Sequence, residues 1–510
     1  GGRGGKCGIL AGKAPGRTAT AAGPPGGLIE FLSANQGPPA RESMQKRTRG
    51  IVIGLVLLIA ILPLCLLFWL IDDGDNFAAI DRGESYGSSI YKRYQGEVYA
   101  AVPSNGYYRM PEADPAGLRT FDTGRYDGRQ AARDSRHVYC GNLVLPGMRP
   151  GSTRYLGNSY FSDGAITYFC DFASELNRDL GGLDEVWQKI LYRAGKGDKP
   201  QTYLYPFLAL PASAQPYRPL LDRQLATDGA RVFYEGREMP RADPSRLRRI
   251  AAIQGGETRP GNDFFADGSR VYYRETPLPL SDDPALYTFM VGNLHRQPYL
   301  YDRRDGMVYL GALAFDAAHA PYRLLNEPGR HVHHALFASK DGIYFYDSEK
   351  RQVERAGDDP FAAGGFTALS PYVFWDGRQL LFLKSKEVWS RSRSGGGLMS
   401  RSTLVLRMKD APTGQWTKLG DVYHGFGSVW RHGDALYYLD ELGATQLIYS
   451  PIYRILDPKA ADFLLRSQQT RQIKADDIRK LVHGGTLAVP AFDEVLEAKT
   501  RYRRGLLSLF

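Results

Sequence analysis

Three groups of residues have types and spacings that could carry chemistry. His331-Val332-His333-His334 gathers three of the nine histidines. On a strand His331 and His333 share a face, as zinc ligands do. A metal site needs further ligands, and no Cys, Asp or Glu lies within the three positions before the cluster or the six after it. The favoured reading is a partly exposed strand or loop, with no metal and no cofactor. Of the four cysteines, Cys7 lies in a Gly/Ala-rich leader and Cys65 in a long apolar run, which leaves Cys140 and Cys170. Two readings stand for them: a disulfide, worth roughly 3 kcal/mol if unstrained, or two buried thiols. The third group is the carboxylates Asp184, Glu185, Glu238 and Glu275, too scattered to nominate an acid–base pair. Gly-x-Ser-x-Gly, P-loop and His-Glu-x-x-His signatures do not occur. No catalytic residue is assigned.

The elements that must position these residues repeat. Asp267-Gly268-Ser269-Arg270-Val271-Tyr272-Tyr273 reads as a hairpin. Gly takes the positive φ of the turn, Asp tolerates it, and Val-Tyr-Tyr suits a half-buried strand. Looser copies begin at Asp163, Asp228, Asp305, Asp341 and Asp376, with an inverted Gly433-Asp434, each ahead of an apolar and aromatic run. From Asp228 the aspartates step by 39, 38, 36 and 35 residues, the signature of a repeat whose units bury their faces on one another. A helix-like insertion, Ser174 to Gly195, lengthens the step before Asp228, and the polar, Gly-rich Ser385 to Gly397, read as a flexible excursion, lengthens the step after Asp376. Val138-Tyr139, and Val98-Tyr99 before it, extend the array without an Asp-Gly turn.

A second motif, Ala-Asp-Pro, is seen in Met110-Pro111-Glu112-Ala113-Asp114-Pro115 and Met239-Pro240-Arg241-Ala242-Asp243-Pro244, with Asp282-Asp283-Pro284 and Asp358-Asp359-Pro360 as further copies. Asp is a favoured N-cap and Pro fits the first helical position, so each copy should open a helical turn. Calcium is the competing reading of these aspartates, but no copy shows the alternating ligands and closing Glu of an EF-hand. The paired Asp…Val-Tyr-Tyr and Ala-Asp-Pro elements resemble the bacterial DKNYY repeat family over roughly residues 98 to 346. That resemblance implies an envelope or secreted protein and transfers no activity.

The 510 residues divide by composition. Residues 1–43 are rich in Gly, Ala, Pro and Arg and read as disordered or a spurious leader; residues 44–50 form a basic flank. Ile51 to Ile71 is uncharged and, as a helix of about 31 Å, long enough to cross a bilayer. Cations at Lys46, Arg47 and Arg49 precede it and Asp72, Asp73 and Asp75 follow. The positive-inside rule then makes residues 51–71 a signal-anchor with a cytoplasmic N-terminus and a periplasmic bulk, a single pass of a bacterial inner membrane. A linker, 72–97, leads to the β-rich repeat domain, 98–455. Residues 456–510 read as a helical tail, with helices after Asp457-Pro458, from Ala475 to His483, and beyond Pro490. The net charge is +10, but residues 1–43 carry five Lys/Arg against two Glu, and with the three flank cations removed only +4 remains after position 49. Nucleic-acid binding therefore has no electrostatic support.

The expected fold is mainly β. Seven or eight units of three or four short strands resemble propeller blades, and closure would remove exposed strand edges. A closed propeller-like array is preferred to a solenoid. The expected function is a membrane-anchored repeat protein that binds an envelope protein or glycan. The alternative is a hydrolase of envelope carbohydrate or peptide.

Overall fold

The computed structural model describes residues 77–502 except 104, 122–125, 223, 255–256, 292–296, 326–331, 391–396, 410–413, 442–449 and 471. The expected leader, basic flank and signal-anchor lie outside the described residues. Among those described, no helix is long and apolar enough to cross a membrane.

Over the described residues the chain is mainly β, built from nine antiparallel meanders taken largely in sequence order, besides one two-stranded ribbon. Sheet one spans residues 84–109, sheet two 119–144, sheet three 154–170 with 207–209, and sheet four 218–239. Sheets five (248–281) and six (286–314) are fused by one parallel bridge, Ala252 to Thr288. Sheet seven spans 323–357, sheet eight 367–408 with 492–501, and sheet nine 416–455 with 487–488.

Each sheet is too small to bury both faces alone, so each packs on the next. Val98, Ala100 and Met110 of sheet one and its outgoing loop meet Ala132 and Tyr139 of sheet two. Tyr160 and Phe169 meet Ala226 and Phe233, joining sheets three and four, and Leu225 and Tyr234 meet Phe265 and Tyr272, joining four and five. The ends of this series are covered by helices. Ala460, Ala461 and Leu464 of helix Pro458–Thr470 and Ile478 of helix Ala475–His483 pack on Val429, Tyr438 and Tyr453, while the opposite face of sheet nine packs on sheet eight. At the other end the short helix Phe77–Asp81 sets Phe77 against Tyr107, with Ile80 fully buried. The expected ring would need the outer face of sheet nine for another blade, and helices occupy that face instead.

Two recurrent contacts join neighbouring sheets, and both start from the repeat motifs. The hairpin aspartate folds its carboxylate back onto its own turn. Oδ1 of Asp267 accepts the backbone N–H groups of Ser269 and Arg270 at 3.0 and 2.7 Å, and the same pair recurs at Asp134, Asp163, Asp228 and Asp376. Gly164, Gly229, Gly268 and Gly377 follow with φ between +84° and +92°, a conformation that favours glycine. Oδ2 then reaches the neighbouring Ala-Asp-Pro loop. Asp134 accepts the N–H of Asp114 and the hydroxyl of Tyr139, which also donates to the Glu112 carbonyl. Asp267 repeats this with Asp243, Tyr272 and the Pro240 carbonyl. The loop aspartates each cap a single turn, as Asp114, Asp243, Asp283 and Asp359 accept the N–H two residues on. Elsewhere, tyrosine hydroxyls bind backbone across sheets: Tyr91 to the carbonyls of Gln130 and Gly141, and Tyr160 to that of Gln224 while it accepts from Gly236.

Four boundaries differ from the sequence reading. The array begins before residue 98: strand Tyr91–Tyr94 lies in the expected linker, held by the buried Tyr91. The tail beyond Pro490 is a strand, Phe492–Arg501, antiparallel to Leu398–Met408; Leu496, Ala498 and Thr500 are buried in alternation, a period of two rather than 3.6. The expected excursion begins as strand, because Ser385 and Glu387 pair across with Thr403 and Arg401. Sheet six buries Asp302, not the Asp305 of its Asp-Gly pair.

Two outcomes follow. Asp267→Ala strips acceptors from two turn amides, the Asp243 amide and Tyr272, at a residue only 1% exposed. It should cost about 3 kcal/mol in urea unfolding, and Tyr272→Phe about 1. Burial alone would raise the Asp228 carboxyl, but the Arg231 amide and guanidinium, the Ala230 amide and Ser213 outweigh it and hold it at about 2. A depressed carboxyl contributes stability above its unfolded value, about 3.9, that is lost as pH falls through the folded one. The stability difference between wild type and Asp228→Asn should therefore be constant above pH ~5 and shrink between about pH 4 and 2.

Candidate functional site

Cys140 ends the third strand of sheet two and Cys170 the third strand of sheet three, and the two form a disulfide with Cα atoms 5.8 Å apart. The hairpin aspartates Asp134 and Asp163 stand six and seven residues before them, so the bridge joins strands offset by one position. Both half-cystines are buried with Tyr108, Phe161 and Tyr205.

His331 lies outside the described residues. His333 places Nε2 3.7 Å from Glu387 Oε1, and Glu387 also accepts from Arg401 Nε and Trp389 Nε1. His334 is buried, its ring nitrogens against the hydroxyls of Thr403 and Thr500 at 3.2 and 3.0 Å, and burial first, then His333 and Arg401, pull it down to about 3. It is a neutral core histidine. Among the described residues no three His, Cys, Asp or Glu are grouped to hold a metal ion.

The nominated carboxylates separate. Asp184 and Glu185 sit on the inserted helix Gly182–Arg193, where Glu185 pairs with Lys189. Glu238 is exposed on sheet four. Glu275, in a turn of sheet five, faces Arg237 at 3.7 Å. The fold instead gathers a row that sequence reasoning did not nominate, at the turns of sheets three to five: Asp171, Glu235, Asp263 and Arg274 beside that Arg237–Glu275 pair. Arg274 spans Asp263 at 3.2 Å and lies over the Tyr273 ring. Burial, then the charge of Asp171, raises the Glu235 carboxyl, and burial raises Asp171. The signal for this row was Tyr234-Glu235-Gly236-Arg237, a two-residue hairpin turn in which Glu235 takes φ +50° and Gly236 φ +80°.

This row can hold a polar or cationic group against two carboxyls that burial raises. It presents no nucleophile beside a base. A cavity of about 420 Å³ lies elsewhere, between the inserted helix and residues 196–201. Its one lining carboxylate, Asp198, is held bidentately by Arg109 at 2.6 and 3.0 Å. With that single carboxylate the cavity does not supply the opposed acid pair that a glycoside hydrolase needs.

Removal of the bridge by Cys140→Ser with Cys170→Ser should cost about 3 kcal/mol in urea unfolding, because a loop of 30 residues is released in the unfolded chain. Glu441, raised to about 7 by burial against Lys418 and with Asp421, behaves oppositely to the hairpin aspartates. A raised carboxyl contributes stability that is full below the unfolded value, about 4.3, and lost as pH climbs to the folded one. Glu441→Gln should match wild type at pH 4 and exceed it in unfolding midpoint at pH 8.

No curated protein and no solved structure matches the chain. The family model described as the DKNYY family matches residues 91–276. That span runs from the first residue of strand Tyr91–Tyr94 to the first residue of strand Thr276–Ser281, and so covers both complete copies of the aspartate–tyrosine–loop contact among the described residues. Sheets one to five, residues 91–276, are thus the part of the chain that is similar to the DKNYY family.

Proposed function

We propose that the chain is a single-pass, membrane-anchored repeat protein of the bacterial envelope, whose extracytoplasmic β domain binds another envelope component, a protein or a glycan. The observation that carries this reading is the buried disulfide between sheets two and three, because such bridges form and persist in oxidising compartments and are rare where thiols are kept reduced. The uncharged run Ile51 to Ile71, with cations before it and aspartates after it, supplies the anchor and its direction. The repeat supports a binding role: stacked sheets expose successive turns along one side, and the Asp171–Glu235 row is the polar surface we assign to the ligand.

Protease added to intact spheroplasts should digest the β domain and leave a small membrane-held stub. Complete protection of the domain would overturn the topology. Asp171→Asn with Glu235→Gln should reduce recovery of the envelope partner on the immobilised full chain severalfold. Equal recovery would remove the row from the binding surface.

A further inference from the structure

The segment inserted between Cys170 and Phe207 of sheet three forms a short ribbon, Glu175–Leu176 with Tyr203–Leu204, and the helix Gly182–Arg193. The half-buried side of this helix carries Glu185, which accepts from Thr202 and pairs with Lys189, together with Ile190, Leu191 and Tyr192, while its first two turns leave apolar side chains outward. Leu183, Val186 and Trp187, spaced i, i+3, i+4, are 88%, 41% and 61% exposed, and no residue of the helix is fully buried. A globular helix turns such a stripe to the core. An exposed stripe carrying Leu and Trp is the pattern of helices that lie in a membrane interface.

The position of the insertion says what covers it. Tyr99, Tyr107 and Arg109 share the face of sheet one turned away from sheet two, since Tyr99 pairs with Arg109 and Tyr107 alternates with the inward Tyr108. Tyr107 on that face receives Phe77, and its hydroxyl donates to Asp81 at 2.8 Å. Arg109 receives Asp198 of the insertion, and Lys199 donates to the Asn105 carbonyl. The first described residue of the chain and the root of the insertion are therefore packed on the same strand, Gly106–Arg109. Only residues 72–76 separate Phe77 from the uncharged run ending at Ile71, a reach of about 20 Å fully extended.

We infer that the Leu183–Val186–Trp187 face of the inserted helix docks on the surface of the bilayer that residues 51–71 cross, an inference that rests on the anchor reading above. Three large side chains bind lipid only weakly by themselves. A tether at the adjacent strand makes the second contact intramolecular, and a weak face then suffices. The bidentate Arg109–Asp198 pair transmits that docking to sheet one and fixes the domain against the membrane.

The test uses the full chain with Cys7→Ser and Cys65→Ser, in which the disulfide leaves no free thiol, reconstituted in phosphatidylethanolamine–phosphatidylglycerol vesicles. A nitroxide is placed on Val186→Cys or, as a control, on Lys340→Cys in an exposed turn of sheet seven. The ratio of oxygen to nickel-chelate accessibility should be several-fold higher at 186 than at 340. Leu183→Glu with Trp187→Glu should abolish the difference while the disulfide and the far-ultraviolet spectrum stay unchanged. Equal ratios in protein that still floats with the vesicles would overturn the docking and leave the anchor standing. Spin–spin broadening at 186 that vanishes on dilution with unlabelled protein would assign the face to a second copy and likewise overturn it. Failure to float would remove the anchor and the docking with it.

Discussion

A buried carboxylate whose acceptor positions are filled from two directions holds this fold together. An ionised aspartate away from water is costly unless donors replace its hydration. At Asp134 and Asp267 the donors are two amides of the aspartate's own turn, one amide of the preceding loop and one tyrosine hydroxyl. The turn amides fix the hairpin, and the loop amide fixes where the incoming chain crosses it. A single side chain thus sets both the local turn and the join to the previous sheet, so a tandem of small sheets can stack in register without a large core in any one of them.

The same carboxylate accounts for how far the turn varies between the copies in this chain. The contact needs a carboxylate acceptor and a donor for its second oxygen, and asks little of the turn residues between. Asp134-Ser135-Arg136-His137 makes the turn contacts of Asp267-Gly268-Ser269-Arg270 without the glycine. At Asp228 the tyrosine position is Phe233, and Ser213 with the Arg231 guanidinium fills the second oxygen instead.

Much of the architecture was legible in the sequence because local physics fixes it. The Asp-Gly turns, the Val-Tyr-Tyr strands and the Asp-Pro caps each depend on residues a few positions apart. Helices Pro458–Thr470 and Ala475–His483 were marked by Asp457-Pro458 and by Gly484-Gly485. What was not legible depends on distant partners. Strand Phe492–Arg501 carries Glu and Lys among its apolar positions and reads equally well as an amphipathic helix until strand Leu398–Met408 is beside it. Asp134 was missed for lack of a glycine, although its offset of five to Tyr139 matches that of Asp267 to Tyr272. The Asp171–Glu235 row joins separate repeats and left no local trace beyond one turn.

The last strand gives the series a direction in time. Sheets one to seven are each complete once a contiguous or nearly contiguous stretch of chain is available, and the long detour in sheet three returns to its own partner at Phe207–Ala209. Sheet eight is different. Its edge at Leu398–Met408 waits for Phe492–Arg501, and every strand of sheet nine and both covering helices lie in between. A chain emerging from its N-terminus can therefore settle sheets one to seven in order, while sheet eight stays open until Phe492–Arg501 has been made. During that interval strand Leu398–Met408 is an unpaired edge with five consecutive positions, Ser402 to Leu406, that end up buried. That edge is where a foreign strand would compete with the chain's own.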